Sequence, residues 1–433
     1  MEILSAWTNG DWRSVSPEIE SHDKDELCSD GGEPLSHIDI SSSDDNDRLT
    51  KFLENAILSE DLIALTGLGT SLCLNKKGQE SIAPTMWDLW KAVEKALDTE
   101  KTKNNSSPSL KEVRKLVKYI EDPDGNGNDK NANIETLLSR AQSFLSFGED
   151  TEKQSIETFV RISESIIATK CDFPGPEIAL NTHVNFLRKI VRRPHDKKRV
   201  RLFTTNYDRC FEIAARQLRF AVIDGFSQHY PREFDGSYFD WDYARTSTVA
   251  GRSGVEFLPN VFKLLKLHGS IDWEENNGKI QQSFKAASKP VLVYPRESKF
   301  QLSFQHPYLE LMSRFQTGLR GDETTLFVIG FGMNDEHIAE PIMNAIRSNI
   351  SLRVVVVAPD LKDKDTIPQK ANKYIKTIAN LIRDNDNRLV LINGTFGDFV
   401  SLLPQVYPRS ELELHRSRMM NFGTPRKSGE FHD

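Results

Sequence analysis

Four stretches of the sequence set polar, chemically able residues directly behind short apolar runs. In DLIALTGLGTS the run Leu62 to Leu65 leads into Gly67, Gly69, Thr70 and Ser71. Glycines at such a point either form a tight turn or let backbone N–H groups come close to a phosphate. No third glycine completes the dinucleotide spacing, so both readings stand. RLFTTNYD places Thr204, Thr205, Asn206 and Asp208 behind a second run. An Asn amide donates and accepts, so it can hold a hydroxyl and a water at once. Asp208 either bonds a ligand hydroxyl or makes an Asx turn into RCFEIAARQL. KLLKLHGSIDW, residues 263–273, ends its apolar run in His268 and Gly269. That imidazole is either a satisfied core group or an acid–base group delivered to a pocket. VIGFGMNDEH supplies Gly330 and Gly332 before a helix capped by Asn334 or Asp335, and Asp360 after VVVVAP reads as a turn.

The elements that must position these residues alternate. Short β-branched runs (RVRLFTT, VFKLLKL, VLVYP, TTLFVIGFG, LRVVVVAP, RLVLING) are separated by helical segments such as EHIAEPIMNAIRSN. That alternation predicts an α/β fold, a Rossmann-like parallel sheet with helices on both faces. Ligands of such sheets sit beyond the carboxyl ends of the strands, where the polar residues fall. Residues 46–84 and 200–404 are expected to form this Rossmann-like domain. Residues 85–199 read as a helical insertion, broken by the polar linkers TEKTKNNSSPS and EDPDGNGNDKN. Residues 1–45 read as a flexible acidic tail and 405–433 as a polar C-terminal tail. No repeat of fixed period is found.

Composition removes several classes. With 38% hydrophobic and 27% charged residues, the chain of 433 residues can build a solvated globule with a real core. A net charge of −7 argues against a generally basic nucleic-acid binder. The strongest basic run, RKIVRRPHDKKRVR at 188–201, is either a solvated helix end or a contact for DNA or an acidic partner. Cys28, Cys73, Cys171 and Cys210 are scattered and form no CxxC, so neither a disulfide framework nor a four-thiolate zinc module is expected. MEILSAWTNGDWRS has no basic n-region or apolar h-region, and no apolar run reaches the ~20 residues of a membrane span. A cytoplasmic protein with no membrane contact is the expectation.

Taken in order, the motifs resemble the sirtuin family. TGLGTS resembles its first glycine motif, TTNYD its Thr-x-Asn-x-Asp, LHGS its His-Gly, and IGFG stands where the family has a later Gly-containing turn. The resemblance spans about 60–400 without the helical insertion. DGF, FDWDYAR and GFGMNDEHI look more like the bacterial sirtuin-like branch of antiphage defence than like the deacylases. It implies NAD as substrate and no metal. Asn206 would hold the ribose hydroxyls and orient a water, and His268 would act as general base. Asp208, with Thr205 beside it, would support the ribose side. Gly67, Gly69, Thr70 and Ser71 would wrap the phosphates, and Gly330, Gly332 and Asn334 would lie beside the adenosine. The deacylases carry two CxxC pairs on a zinc module, and this chain has none. Residues 221–245 form an aromatic loop instead, either packed on the sheet or serving as a lid.

The resemblance therefore implies a regulated NAD+ hydrolase that depletes NAD on infection. The alternatives are an NAD-dependent protein deacylase and a non-catalytic subunit that senses NAD or ADP-ribose. A homo-oligomer is expected, with a HerA-like ATPase or other defence sensor as partner. No P-loop is present, so the chain is not that ATPase.

Overall fold

The computed structural model describes residues 1–16, 41–76, 78, 81–105, 107–119, 133–175, 178–194, 196–247, 254–287, 289–292, 307–359, 361 and 372–406. In chain order the strands are β1 (Glu2–Ser5), β2 (Trp12–Ser14), β3 (Asp61–Thr66), β4 (Arg201–Thr204), β5 (Ala221–Ile223), β6 (Arg232–Glu233), β7 (Ala244–Ser247), β8 (Gly254–Phe257), β9 (Val261–Lys266), β10 (Gly269–Asn276), β11 (Lys279–Gln282), β12 (Pro290–Leu292), β13 (Thr324–Ile329), β14 (Arg353–Ala358) and β15 (Leu389–Asn393). The helices are α1 (Ser41–Ile57), α2 (Leu68–Leu72), α3 (Met86–Lys103), α4 (Leu110–Leu116), α5 (Ile134–Phe147), α6 (Asp150–Cys171), α7 (Asn181–Val191), α8 (Cys210–Leu218), α9 (Tyr308–Gly318), α10 (Glu336–Ser348), α11 (Lys373–Arg383) and α12 (Phe396–Leu402).

Nine strands form the main sheet in the order β2-β1-β15-β14-β13-β3-β4-β9-β5. From β15 to β5 every neighbouring pair is parallel. All six residues of β3 and of β13 are buried, as a sheet covered on both faces requires. Alternate side chains serve two cores. Ile63, Leu65, Leu326 and Val328 face one, with α9, α10 and α11. Leu62, Ala64, Phe327 and Ile329 face the other, with α1, α7, α8 and α12. The expected α/β architecture with helices on both faces is therefore present.

Chain order reverses at β3: the path runs outward through β4 towards β9 and β5, then returns to β13 on the other side. Such a switch point opens a crevice at the strand carboxyl ends.

Three expectations need correction. The first residues are not tail: β1 pairs antiparallel with β15, and Ile3 and Leu4 are fully buried, one on each face. Two apolar residues suffice because β1 covers a sheet edge that would otherwise expose unpaired backbone groups. Residues 17–40, the whole of the second linker, Asp360 and the chain beyond 406 lie outside the described residues. Second, α7 does not belong with the inserted helices. Its Phe186, Leu187 and Ile190 join the sheet core, whereas α3 to α6 bury their own third core around Trp90, Leu137 and Phe159. Tyr207 and Ile271 fasten that third core to the sheet.

Third, the basic run 188–201 is largely spent inside the chain. Lys189 donates to the carbonyls of Val400 (2.9 Å) and Leu403 (2.6 Å). Arg193 donates to the carbonyls of Ile57 and Ser59, Lys197 pairs with Glu60, and Lys198 and Arg201 pair with Asp61.

Candidate functional site

The loops after β3, β4, β9 and β13 converge on one cavity of about 310 Å3 at the switch point. Leu68 and Ser71, then Thr205 to Asp208, then His268, then Gly330 to Gly332 with Asn334 and Asp335 all line it. Asn206 and His268, the amide and imidazole expected to act together, share this cavity.

Asn206 is held in one orientation. Its Nδ2 donates to Gly67 O (3.0 Å), Thr70 Oγ1 (3.2 Å) and Ser71 Oγ (2.8 Å). A carbonyl oxygen only accepts, so Gly67 requires the nitrogen to face it. The amide oxygen then has no protein donor among the described residues and is left for a ligand.

Ser71 Oγ donates to Asp208 Oδ2 at 2.5 Å, and Asp208 Oδ1 accepts from Cys210 N at 2.9 Å. Asp208 therefore makes the Asx turn into α8 and is buried. Thr205 N–H donates to Thr66 O, extending the β3–β4 ladder past the strands (3.0 Å).

The glycine turn differs from the expected phosphate cradle. Gly67 N–H donates to Ile329 O, Gly69 N–H to Gly330 O, and Thr70 N–H to Gly67 O, at 2.9–3.0 Å. The hydroxyls of Thr70 and Ser71 are engaged with Gly67 O and Asp208. These groups scaffold Asn206 instead of presenting free donors. Glycine is required by close approach: a Cβ on Gly69 would lie 2.6 Å from Gly330 Cα. Gly330 itself has φ +61°. Gly332 and Asn334 are exposed at the rim, where Asn334 Oδ1 accepts from Asn372 at 3.0 Å.

His268 sits at the carboxyl end of β9, as its sequence position implied. Leu267 N–H bonds Thr204 O at 2.8 Å, and glycine is required at 269 both by φ +82° and because a Cβ there would lie 2.1 Å from Val291 O. Burial lowers the His268 pKa to about 4, so the ring is neutral at pH 7. Its Nε2 lies 3.3 Å from His337 Nε2 and 3.9 Å from Asp335 Oδ2. A neutral ring beside a partly exposed second imidazole can take a proton and hand it on.

Several contributors carried no local signal. Glu135, on the first turn of α5, reaches the cavity from the insertion and accepts from Tyr207 Oη at 2.9 Å. Burial, then the nearby Asp335, raises its carboxyl to about 7. Asp335 is itself raised by burial. Lys266, nearly fully buried, ties Tyr207 O, Asp208 O and Glu212 together beneath the Asn206 loop. NIETLL reads as an ordinary capped helix start, so no spacing rule could have pointed Glu135 at this cavity.

The aromatic loop is not a lid. Phe226, Phe234 and Phe239 pack with Trp273 in the sheet core, and no residue of 221–245 is among the described residues lining the cavity.

The class defined so far is an α/β protein with a Rossmann-like parallel sheet and a switch-point cavity holding an amide and a neutral imidazole. Residues 200–378 match the family model of the SIR2-like domain. That span holds Asn206, Asp208, His268, Gly330 and Gly332. No curated protein matches the chain. Among solved structures, a Sir2 homologue–NAD complex is similar at 15% identity and TM-score 0.33, covering 77% of this chain and 93% of that one. A mutant Sir2 homologue in complex with ADP-ribose is similar at the same identity and score, covering 77% and 95%. No helix of the described residues is long and apolar enough to cross a membrane.

Proposed function

We propose that the chain is an NAD+ hydrolase that cleaves the nicotinamide–ribose bond to give nicotinamide and ADP-ribose. The observation that carries this reading is that Asn206 and His268, 62 positions apart in the sequence, line one switch-point cavity. The match to the SIR2-like domain over the same residues supports the choice of NAD. A cavity of about 310 Å3 is near the lower end of ligand sites (~300–1,000 Å3), so it suits the reacting half of a dinucleotide. The adenosine half would run along Gly330, Gly332 and Asn334.

In this reading the C–N bond breaks and its electron pair neutralises the departing pyridinium, so little acid catalysis is needed. The ribose becomes oxocarbenium-like. The Asn206 amide oxygen accepts from a ribose hydroxyl or a water and fixes its position. Neutral His268 removes the proton of the attacking water and passes it toward His337 and Asp335. General-base help of this kind is worth roughly 100- to 10,000-fold.

Constant NAD cleavage would be lethal, so activity in the cell would be regulated. We place that regulation in antiphage defence, in a cytoplasmic homo-oligomer working with a HerA-like ATPase or another sensor subunit. The motif resemblance supports this part of the reading.

The test is to incubate purified chain with NAD, alone and with the operon neighbour, with and without an acyl-lysine peptide. Nicotinamide and ADP-ribose are followed by chromatography. The hydrolase reading expects nicotinamide release that does not depend on peptide. Release only with peptide would indicate a deacylase, and tight NAD binding without turnover a sensing subunit.

A further inference from the structure

A second cavity, larger than the one above, lies elsewhere on the sheet. A groove of about 930 Å3 lies at the opposite, amino-terminal rim of the sheet. Asp61 and Arg201 begin β3 and β4 there, and Lys263 of β9 stands opposite Arg201 in register. Six residues of β3 at ~3.3 Å each separate the two rims by roughly 20 Å.

The groove carries seven Lys and Arg side chains against four carboxylates, an excess of three positive charges on a chain whose net charge is −7. Much of this charge is fixed in place. Arg201 pairs with Asp61 and lies over Gly318, where a Cβ would come within 2.5 Å of its guanidinium. Arg199 donates to Asp242 at 2.9 Å, and Arg314 to Asp240 and Glu310 at 2.7 and 2.6 Å. Lys263 is different. It is half-buried, makes no salt bridge among the described residues, and feels the cations Arg201 and Arg314 as well as the carboxylates Asp240 and Asp242. Phe257, well exposed, forms an apolar wall with the Arg199 guanidinium 5.9 Å from its ring. Seven cations against four carboxylates in one concave site leave an excess of positive charge that a bound anion would complete.

We propose that this groove binds a polyphosphate-bearing ligand of nucleotide size, with Lys263 and Arg201 on its phosphates and Phe257 against its base. The volume lies within the usual range for small-ligand sites. A purely inorganic polyphosphate shares the anionic chemistry but would make no use of Phe257. Burial and Arg201 lower the Lys263 pKa more than Asp240 and Asp242 raise it, and a bound anion would act in the same direction as those carboxylates. The site is independent of the NAD reading, since it shares no residue with the Asn206 cavity.

The test is calorimetric titration of the full chain with ATP and with inorganic triphosphate at low salt. The proteins are wild type, Lys263→Ala, Phe257→Ala, Asn206→Ala and the surface control Lys170→Ala. Loss of one charge-assisted contact is expected to weaken ATP about tenfold in Lys263→Ala. Asn206→Ala and Lys170→Ala should bind as wild type. ATP should bind more tightly than triphosphate, and Phe257→Ala should remove that difference. A cooperative thermal melt of Lys263→Ala close to that of wild type would exclude misfolding as the cause. Absence of ATP binding by wild type, equal binding by Lys263→Ala, or loss in Asn206→Ala would overturn the proposal. Equal affinities for ATP and triphosphate would overturn its nucleotide part. Failure here leaves nicotinamide release by wild type untouched, so the two readings fail separately.

Discussion

Glu135→Gln is a perturbation whose sign can be worked out in advance. The carboxyl is raised from an ordinary 4.5 to about 7, first by burial and then by Asp335. Such a shift disfavours the charged form by roughly 3 kcal/mol. Part of the side chain still meets solvent, which reduces the effective cost to about 1–2 kcal/mol. The folded-state pKa lies above the unfolded one, so the cost is full above about pH 7 and vanishes below pH 4.5. Gln keeps an oxygen to accept the Tyr207 hydroxyl, so the substitution removes the charge and keeps the bond. At pH 8 the variant should therefore be more stable than wild type by about 1–2 kcal/mol, a rise of about 2–4 °C in melting temperature. At pH 4.5 the two should coincide. Differential scanning calorimetry at both pH values reads this directly. A variant less stable at pH 8, or stabilised equally at both pH values, would refute the placement of Glu135 as a buried carboxyl facing Asp335.

Other outcomes follow from the same structure. His183 is fully buried among Phe211 and Phe396, both ring nitrogens lack a partner among the described residues, and burial lowers its pKa to about 4. Its cost appears as pH falls from 6.5 toward 4, so His183→Leu should stabilise by about 2 kcal/mol more at pH 5 than at pH 8; equal gains in melting temperature would contradict this. Gly69→Ala forces a Cβ to 2.6 Å from Gly330 Cα, and should cost about 1–3 kcal/mol in denaturant unfolding and displace the turn that holds Asn206. If that variant unfolds and turns over NAD as wild type does, the two turns are not packed as described.

Much of the sheet and part of the site were legible in the sequence, for a physical reason. A buried parallel strand is a short β-branched run, and the chain must turn at its end with glycine or small polar residues. Gly67, Asn206, His268 and Gly330 stand at such ends, so their residue types and their place in the fold point the same way. Glu135 was invisible because it arrives through tertiary folding: α5 belongs to another core and merely presents its first turn to the cavity. The partners of Thr70 and Ser71 were not legible, because composition cannot say whether a hydroxyl faces a ligand or, as here, an Asn and an Asp. Helix α7 has the same amphipathic pattern as the helices before it, and only its partner surface separates it from them.

The central claim is that the Asn206 amide and the His268 imidazole act on one ribose. It is tested most directly by nicotinamide release from NAD by wild type, Asn206→Ala and His268→Ala, each first confirmed to be folded by its melting curve. The account predicts release by wild type under the condition that activates it, and at least a ~100-fold lower rate in each variant. A folded variant of either residue that releases nicotinamide at the wild-type rate would contradict it.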